Sequence, residues 1–196
     1  MDSNAEPSAV TRGRKRFSRS HRLMLAGTVA AMAALSVVVQ VALAGPPGPP
    51  VPYQIKVGEG NKVFLVGHGV GVQIYTCNGS VWSAAVPRAN LYGDNGQLII
   101  THFAGPSWQA KDGSKAVGTV VDKVTVDRTA IPWVLLSATT TPGPDGDRLV
   151  DTTFIQRTNT TGGLTPPAAE CNAATAGNVI EVPYTAEYVF WKHTAA

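Results

Sequence analysis

The stretch His102–Lys115 holds the densest set of side chains suited to ligand binding. In the run Leu98–Phe103, side-chain alternation places His102 on the same strand face as the apolar Leu98 and Ile100. Gly105-Pro106 then bends the chain, and Trp108 and Asp112 follow within a short excursion. An imidazole beside an indole at a sheet edge can form a subsite for a sugar or an aromatic ligand. We therefore predict that His102 and Trp108 line any ligand site, with Asp112 nearby; the alternative is a core tryptophan beside a hydrogen-bonded structural histidine.

Gln156 and Arg157 form a second candidate pair, on opposite faces of a predicted strand. The guanidinium of Arg157 can bind a carboxylate or phosphate through two parallel hydrogen bonds. It can equally pair with Glu187 or Asp151 and close a strand edge. We predict Gln156 and Arg157 as ligand-binding residues and keep the ion pair as the alternative.

Motifs for established kinds of catalysis are sparse. The sequence contains no G-x-S-x-G serine elbow and no histidine pair at metal-ligand spacing, so no metal site is predicted. A pair of carboxylates for glycoside hydrolysis could be drawn from Asp112, Asp122 and Glu187, but nothing in the sequence selects one pair. The catalytic residues, if there are any, stay unassigned.

The sequence pattern predicts that short strands position these side chains. No segment from residue 53 onward has a 3.6-residue period, and turn signals such as Asn78-Gly79 separate Val- and Thr-rich runs. This pattern predicts an all-β, single-domain antiparallel sandwich or barrel, with one short helix allowed in Pro166–Gly177. The predicted strands are Lys62–Val66, Val70–Thr76, Gly96–Phe103, Ala116–Val126, Trp133–Ala138, Thr152–Thr158 and Thr185–Lys192.

The N-terminus has the composition of a secretory leader. A basic segment precedes an uncharged run, Leu23–Ala44, which ends in a small-x-small cleavage signal. We predict a signal peptide over 1–44, a Pro-rich linker over 45–52 and a β domain over 53–196. An uncleaved N-terminal anchor is the alternative, because the apolar run is long enough to span a bilayer. In both cases the domain is secreted or extracellular, and the cleaved protein has no predicted membrane contact.

The basic character of the whole chain belongs to the predicted leader. Six of the 16 Lys and Arg residues and two of the 13 acids lie in 1–44, so the remainder has ten bases, eleven acids and a net charge of −1 with neutral histidines. That balance argues against a nucleic-acid partner, which requires a clustered basic face.

Cys77 and Cys171 are the only two cysteines. An even count in an exported chain predicts one disulfide, which would close a loop of 94 residues. Two separate buried thiols are the alternative.

Five runs together resemble a secreted family known as domain of unknown function 3455. They are Gly71–Cys77, His102–Gly118, Ile131–Ala138, Phe154–Gly163 and Val182–Lys192, and they span nearly the whole predicted domain. The resemblance implies an exported, mostly β domain of undescribed activity, and it supplies no catalytic residues.

Some proteins similar to this family are labelled malate dehydrogenase, and the residues argue against that activity here. The nearest match to a dinucleotide fingerprint is Gly67–Gly71, but Val72 stands where the third glycine is required, and the following residues alternate as a strand does. We therefore predict no nicotinamide cofactor, and no other cofactor.

Two function classes stay open at this stage. The first is a non-catalytic extracellular binding or surface module for an unknown ligand, which includes carbohydrates. The second is a small secreted hydrolase or lyase that acts on polysaccharide. A cleft with two carboxyl groups of opposed pKa shift would favour the enzyme.

Overall fold

Eight antiparallel strands form a closed barrel in the computed structural model, which describes residues 47–194. Each strand pairs with the next along the chain, and β1 also pairs with β8 to close the ring. The all-β prediction is confirmed, and of the two predicted architectures the structure has the barrel. The strands are β1 Asn61–Thr76, β2 Val86–Tyr92, β3 Leu98–Phe103, β4 Ser107–Ala110, β5 Lys115–Val124, β6 Trp133–Thr141, β7 Thr152–Gly162 and β8 Val179–His193.

The first strand is longer than the sequence suggests. We predicted two strands, 62–66 and 70–76, because the run Gly67–Gly71 reads as an interruption, yet β1 continues through it. These glycines face crowded neighbours instead of forming a turn: a Cβ at Gly69 would lie 2.8 Å from the ring of Tyr188. The run that resembled a dinucleotide fingerprint is therefore the middle of a strand.

Two strands were not predicted, and each has a local reason. β2 begins with Val86-Pro87, and a proline argues against a strand except near its start. β4 has only four residues directly after the turn at Gly105. The helix allowed in Pro166–Gly177 is present as two single 3₁₀ turns, Ala168–Glu170 and Ala173–Thr175.

Side-chain alternation divides each strand between the barrel interior and its outer surface. On β1, Gln73 and Tyr75 are buried while Val70 is 55 % exposed, so the valine row lies outside. On β8 the interior row includes Tyr188 and Phe190. The interior core is otherwise apolar and includes Leu91, Ile100, Trp108, Leu136, Leu149 and Ile155.

A second, smaller apolar cluster lies outside the barrel. The chain before β1 packs Val51, Ile55 and Val57 against Leu135 and Trp191. A 3₁₀ turn, Tyr53–Ile55, lies in this segment. The described part of the Pro-rich linker, residues 47–52, thus lies against the barrel and contains neither helix nor strand. The cluster covers the outer faces of β6 and β8, which explains why these strands are apolar on both sides.

The predicted disulfide is confirmed. Cys77 and Cys171 are joined, with Cα atoms 5.3 Å apart. Their bond ties the segment before β8 to the end of β1, where Cys77 also exchanges backbone hydrogen bonds with Gly177 and Asn178. The indole of Trp82, in the β1–β2 connection, donates to the carbonyl of Pro167 and fastens that connection to the segment before β8.

The predicted leader, residues 1–44, lies outside the described residues. Between residues 47 and 194, none of the helical turns has the length and apolar character needed to cross a membrane. The disulfide is typical of proteins that fold in oxidising, extracellular compartments.

Candidate functional site

A cavity of about 660 Å³ opens at one end of the barrel. We call this end the mouth: β1, β3, β5 and β7 end there, and β2, β4, β6 and β8 begin there. The connections between strands at this end also contribute residues to the cavity wall. Pro106 comes from the β3–β4 connection and Pro132 from the β5–β6 connection. The walls are mainly apolar and include Ala85, Val86, Pro106, Val120, Val134 and Leu136.

The side chains of His102, Trp108 and Tyr188 form an aromatic cluster that also lines the cavity. His102 and Trp108 stack with ring centroids 4.4 Å apart and planes 10° from parallel. Tyr188 meets the indole edge-on at 5.7 Å. These three residues are at most 3 % exposed, so they are the buried floor of the site and not a solvent-facing platform.

Glycines make room for this floor. A Cβ at Gly118 on β5 would lie 2.9 Å from the indole of Trp108 and 2.8 Å from Leu136, and one at Gly69 would strike Tyr188. Contacts this short do not occur in folded proteins, so a larger residue at either position would displace an aromatic ring. The floor therefore depends on backbone-to-ring contacts that β1 and β5 provide.

His102 is a neutral group in this setting. Its Nδ1 lies 2.9 Å from the carbonyl oxygen of Ser107, and since a carbonyl only accepts, Nδ1 carries the hydrogen. Burial lowers the pKa of His102 from 6.5 to about 4; the bond to Ser107 opposes this effect and the charge of Arg157 adds to it. At neutral pH the imidazole therefore has Nε2 as an acceptor.

Two buried phenols lie along β8, and one of them, Tyr188, lines the cavity. The hydroxyl groups of Tyr184 and Tyr188 lie 2.9 Å apart and share a hydrogen bond. Burial raises the pKa of Tyr188 well above its usual value, and the neighbouring Tyr184 adds to the rise while the positive charge of Arg157 opposes it. Burial likewise raises the pKa of Tyr184. Both phenols are thus protonated near neutral pH.

Two cavity-lining residues have buried N–H donors without a partner in the described structure. They are Nε2 of Gln73, on a residue 2 % exposed, and Nε1 of Trp108, on a residue 1 % exposed. Buried polar atoms are nearly always hydrogen-bonded, and an orphaned one often marks a ligand or water position. The cavity thus combines apolar walls with unsatisfied donors.

The family model for DUF3455, described as a protein of unknown function, matches residues 58–192. The chain belongs to the DUF3455 family. The match covers all eight strands except the last residue of β8, so the barrel and its mouth are the family domain. The malate dehydrogenase label has no support from this match. Neither the curated proteins nor the solved structures contain a match to the chain.

The structure of this DUF3455 domain places some of the sequence-predicted site residues in the cavity and others elsewhere. His102, Trp108 and Arg157 line the cavity together. Gln156 lies on the outer side of β7, where its amide donates to the carbonyl of Ile55 at 2.6 Å and accepts from the indole of Trp191 at 2.8 Å. It joins the N-terminal segment to the barrel.

Asp112 lies at the opposite end of the barrel, between β4 and β5. Its carboxylate accepts hydrogen bonds from Ser114 and from the backbone of Arg148. The hydrogen bond from the Ser114 hydroxyl, followed by that from Arg148, lowers the pKa of Asp112. Trp108 is near the start of β4 at the mouth, and β4 runs from there to the opposite end, which takes Asp112 away from the mouth.

Gln73, Lys123 and Tyr188 also line the cavity and were not predicted from the sequence. The alternation did place Gln73 opposite the valine row of β1, and Tyr188 with Phe190 on β8. The sequence did not show which row of side chains faces the barrel interior, because both rows of each strand are partly apolar.

Proposed function

We propose that this DUF3455 domain is a secreted, non-catalytic binding module that takes a small ligand into the mouth of its barrel. The observation that supports this proposal is the cavity of about 660 Å³ with unpartnered donors on Gln73 and Trp108. Its volume falls within the range of small-molecule sites, and apolar walls with a few polar groups are the usual lining of such sites. Secretion is supported by the disulfide and by the composition of the leader.

The positions of the carboxylates favour binding over polysaccharide hydrolysis. Asp112 lies at the far end of the barrel, Asp122 is exposed, and Glu187 binds the amide of Asn159 and lies 3.8 Å from His68. Among the described residues, no aspartate or glutamate lines the cavity. The paired carboxylates of a glycoside hydrolase therefore have no counterpart at the mouth.

A carbohydrate ligand is the competing class for the same site. Sugars usually bind by stacking on an open aromatic face, but one face of Trp108 is covered by His102. An apolar ligand fits the walls better. The two classes separate in the experiment below, because an apolar probe and a set of oligosaccharides can compete for one site.

Binding can be measured with N-phenyl-1-naphthylamine, a neutral dye that fluoresces in apolar pockets. The full chain should bind one dye per molecule, saturably, and oligosaccharides should not displace it. Ala85 lines the cavity and is exposed at its rim, so Ala85→Trp should block the mouth and abolish binding without a loss of melting temperature.

Ala174→Trp is the matched control, because Ala174 is also an exposed alanine but does not line the cavity. It should bind the dye as the wild type does. Absence of saturable binding in the wild type, or equal binding by Ala85→Trp, would contradict the proposal.

A further inference from the structure

Arg157 is a positive charge inside the barrel without a carboxylate partner. It is partly buried on β7, and none of the ion pairs among residues 47–194 includes it. Of the two carboxylates considered as its partners from the sequence, Glu187 is engaged with Asn159 on the outer surface, and Asp151 is exposed directly before β7, at the end opposite the mouth. A charge removed from water is costly unless a counter-charge or hydrogen bonds compensate it.

The orientation of the Arg157 guanidinium is fixed by the backbone. Its Nε and Nη2 atoms donate to one acceptor, the carbonyl oxygen of Pro132, at 3.2 and 2.8 Å. A guanidinium has five N–H donors, so the two bonds to a neutral carbonyl leave three donors, and the neighbouring hydroxyl of Tyr188 can accept from only one of them. Both of these partners are neutral, so the charge has no counter-charge. A group held in this way is ready to bind an anion without further ordering.

Most of the remaining polar groups at the mouth are donors or positive charges like Arg157, and the neutral His102, with Nε2 as an acceptor, is the exception. The orphaned atoms of Gln73 and Trp108 are both donors, and Lys123 adds a second positive charge at the exposed rim. The phenols of Tyr184 and Tyr188 bond to each other and stay protonated, so neither neutralises Arg157. The cavity therefore offers donors and positive charge, which a ligand rich in acceptors and negative charge would satisfy.

We infer that the ligand of the mouth is an apolar organic acid whose carboxylate binds Arg157 and whose body lies against the apolar walls. The inference rests on the proposed function, because it specifies the chemistry of the same cavity. A carboxylate matches the planar guanidinium fork. The apolar walls, Val134 and Leu136 among them, provide contacts that a small hydrated anion such as phosphate could not use.

The test compares acids with neutral amides of the same shape as competitors of N-phenyl-1-naphthylamine on the full chain. The pairs are 1-naphthoate with 1-naphthamide, for an aromatic body, and octanoate with octanamide, for an alkyl body. We expect at least one acid to displace the dye at a concentration about ten times lower than its amide, which corresponds to about 1.4 kcal/mol. The pair with the larger ratio identifies the body that the cavity prefers.

Arg157→Gln should reduce the acid-to-amide ratio to about one while dye binding persists. Arg157→Lys keeps the charge but loses the fork, so its ratio should fall between the other two, and it serves if the glutamine variant does not fold. Arg88→Gln is the matched control, because Arg88 is an exposed arginine that pairs with Glu181 on the outer surface, and it should keep the wild-type ratio.

The two proposals fail in different ways. If the dye does not bind, the proposed function fails. If the dye binds and both acids compete no better than their amides, or if Arg157→Gln leaves the ratio unchanged, the cavity is a binding site but the inferred ligand class is wrong.

Discussion

The two ends of the barrel differ in what fills them. At the end opposite the mouth, which we call the closed end, Leu149 from the β6–β7 connection is fully buried among the interior core residues. At the mouth, the corresponding interior positions carry Gln73, His102 and Arg157 and surround a cavity. One end is thus sealed by an apolar plug, and the other leaves polar groups facing unfilled space.

The connections explain the difference. The plug is anchored because Asp112 and Ser114 accept hydrogen bonds from the backbone of Arg148 and Leu149, and Thr140 donates to the carbonyl of Val150. At the mouth, the disulfide fastens the long connections to each other and to the end of β1. The closed end is stabilised by the burial of Leu149. At the mouth, the disulfide and backbone hydrogen bonds hold the connections around an unfilled cavity.

Loss of the disulfide should have the largest effect on stability. In the loop-entropy model, a bond that closes 94 residues is worth about 4–5 kcal/mol. The double variant Cys77→Ser/Cys171→Ser should lose that much free energy of unfolding in a denaturant titration. It should also bind N-phenyl-1-naphthylamine more weakly, because the mouth loses its fastening. A loss below about 1 kcal/mol would show that other contacts hold the mouth.

Removal of the plug should separate the two ends most clearly. Leu149→Ala empties a fully buried position and should cost about 2–5 kcal/mol in the free energy of unfolding. Dye binding at the mouth should stay within about twofold of wild type, which is about 0.4 kcal/mol. The exposed Leu164 provides the control: Leu164→Ala should change stability by less than about 0.5 kcal/mol. A large loss of binding in Leu149→Ala would mean that the ends are coupled.

Acid should destabilise the mouth through His102. The unfolded chain binds a proton near the ordinary histidine pKa of 6.5 and the folded protein only near 4, so the unfolded state binds more protons between these values. Stability is therefore highest above pH 6.5 and falls as the pH is lowered to 4, by about 3 kcal/mol from this group. Denaturant titrations at several pH values should show a shallower fall for His102→Gln than for wild type. Parallel curves would contradict a buried neutral imidazole.

Asp112 should have the smallest effect, confined to the closed end. Its carboxylate has a lowered pKa in the folded protein, so its stabilising contribution is present above the ordinary pKa and is lost as the pH falls through the folded value. Asp112→Ala should lower the melting temperature less than Leu149→Ala does and should leave dye binding unchanged. Asp145→Ala is the control, because Asp145 is an exposed acid at the same end of the barrel, on the β6–β7 connection. If Asp112→Ala abolished binding, Asp112 would belong to the ligand site as the sequence predicted.

The sequence predicted the surroundings of single residues better than it predicted which residues lie together in the site. The alternation around His102 placed that residue with inward apolar neighbours, and it is 3 % exposed. The predicted neighbourhood of His102, Trp108 and Asp112 failed to hold for the aspartate, because β4 carries the chain from the mouth to the closed end in four residues. Proximity along the chain was an unreliable guide since a strand extends about 3.3 Å per residue.

The sequence alone determined the all-β class, because the Val- and Thr-rich runs between turn signals have no helical period. It also determined which residues a disulfide could join, because two cysteines have one possible pairing. It also separated the two faces of β1 and β8. The tertiary structure decided which of those faces is interior, since that depends on the closure of β1 onto β8 and on the N-terminal segment that covers the outer cluster. It likewise decided that Arg157 shares a cavity with His102 while Gln156, its neighbour in the chain, points to the opposite side of the wall. Adjacent residues in a strand face opposite sides, and only the curvature of a closed sheet brings side chains from all eight strands around one space.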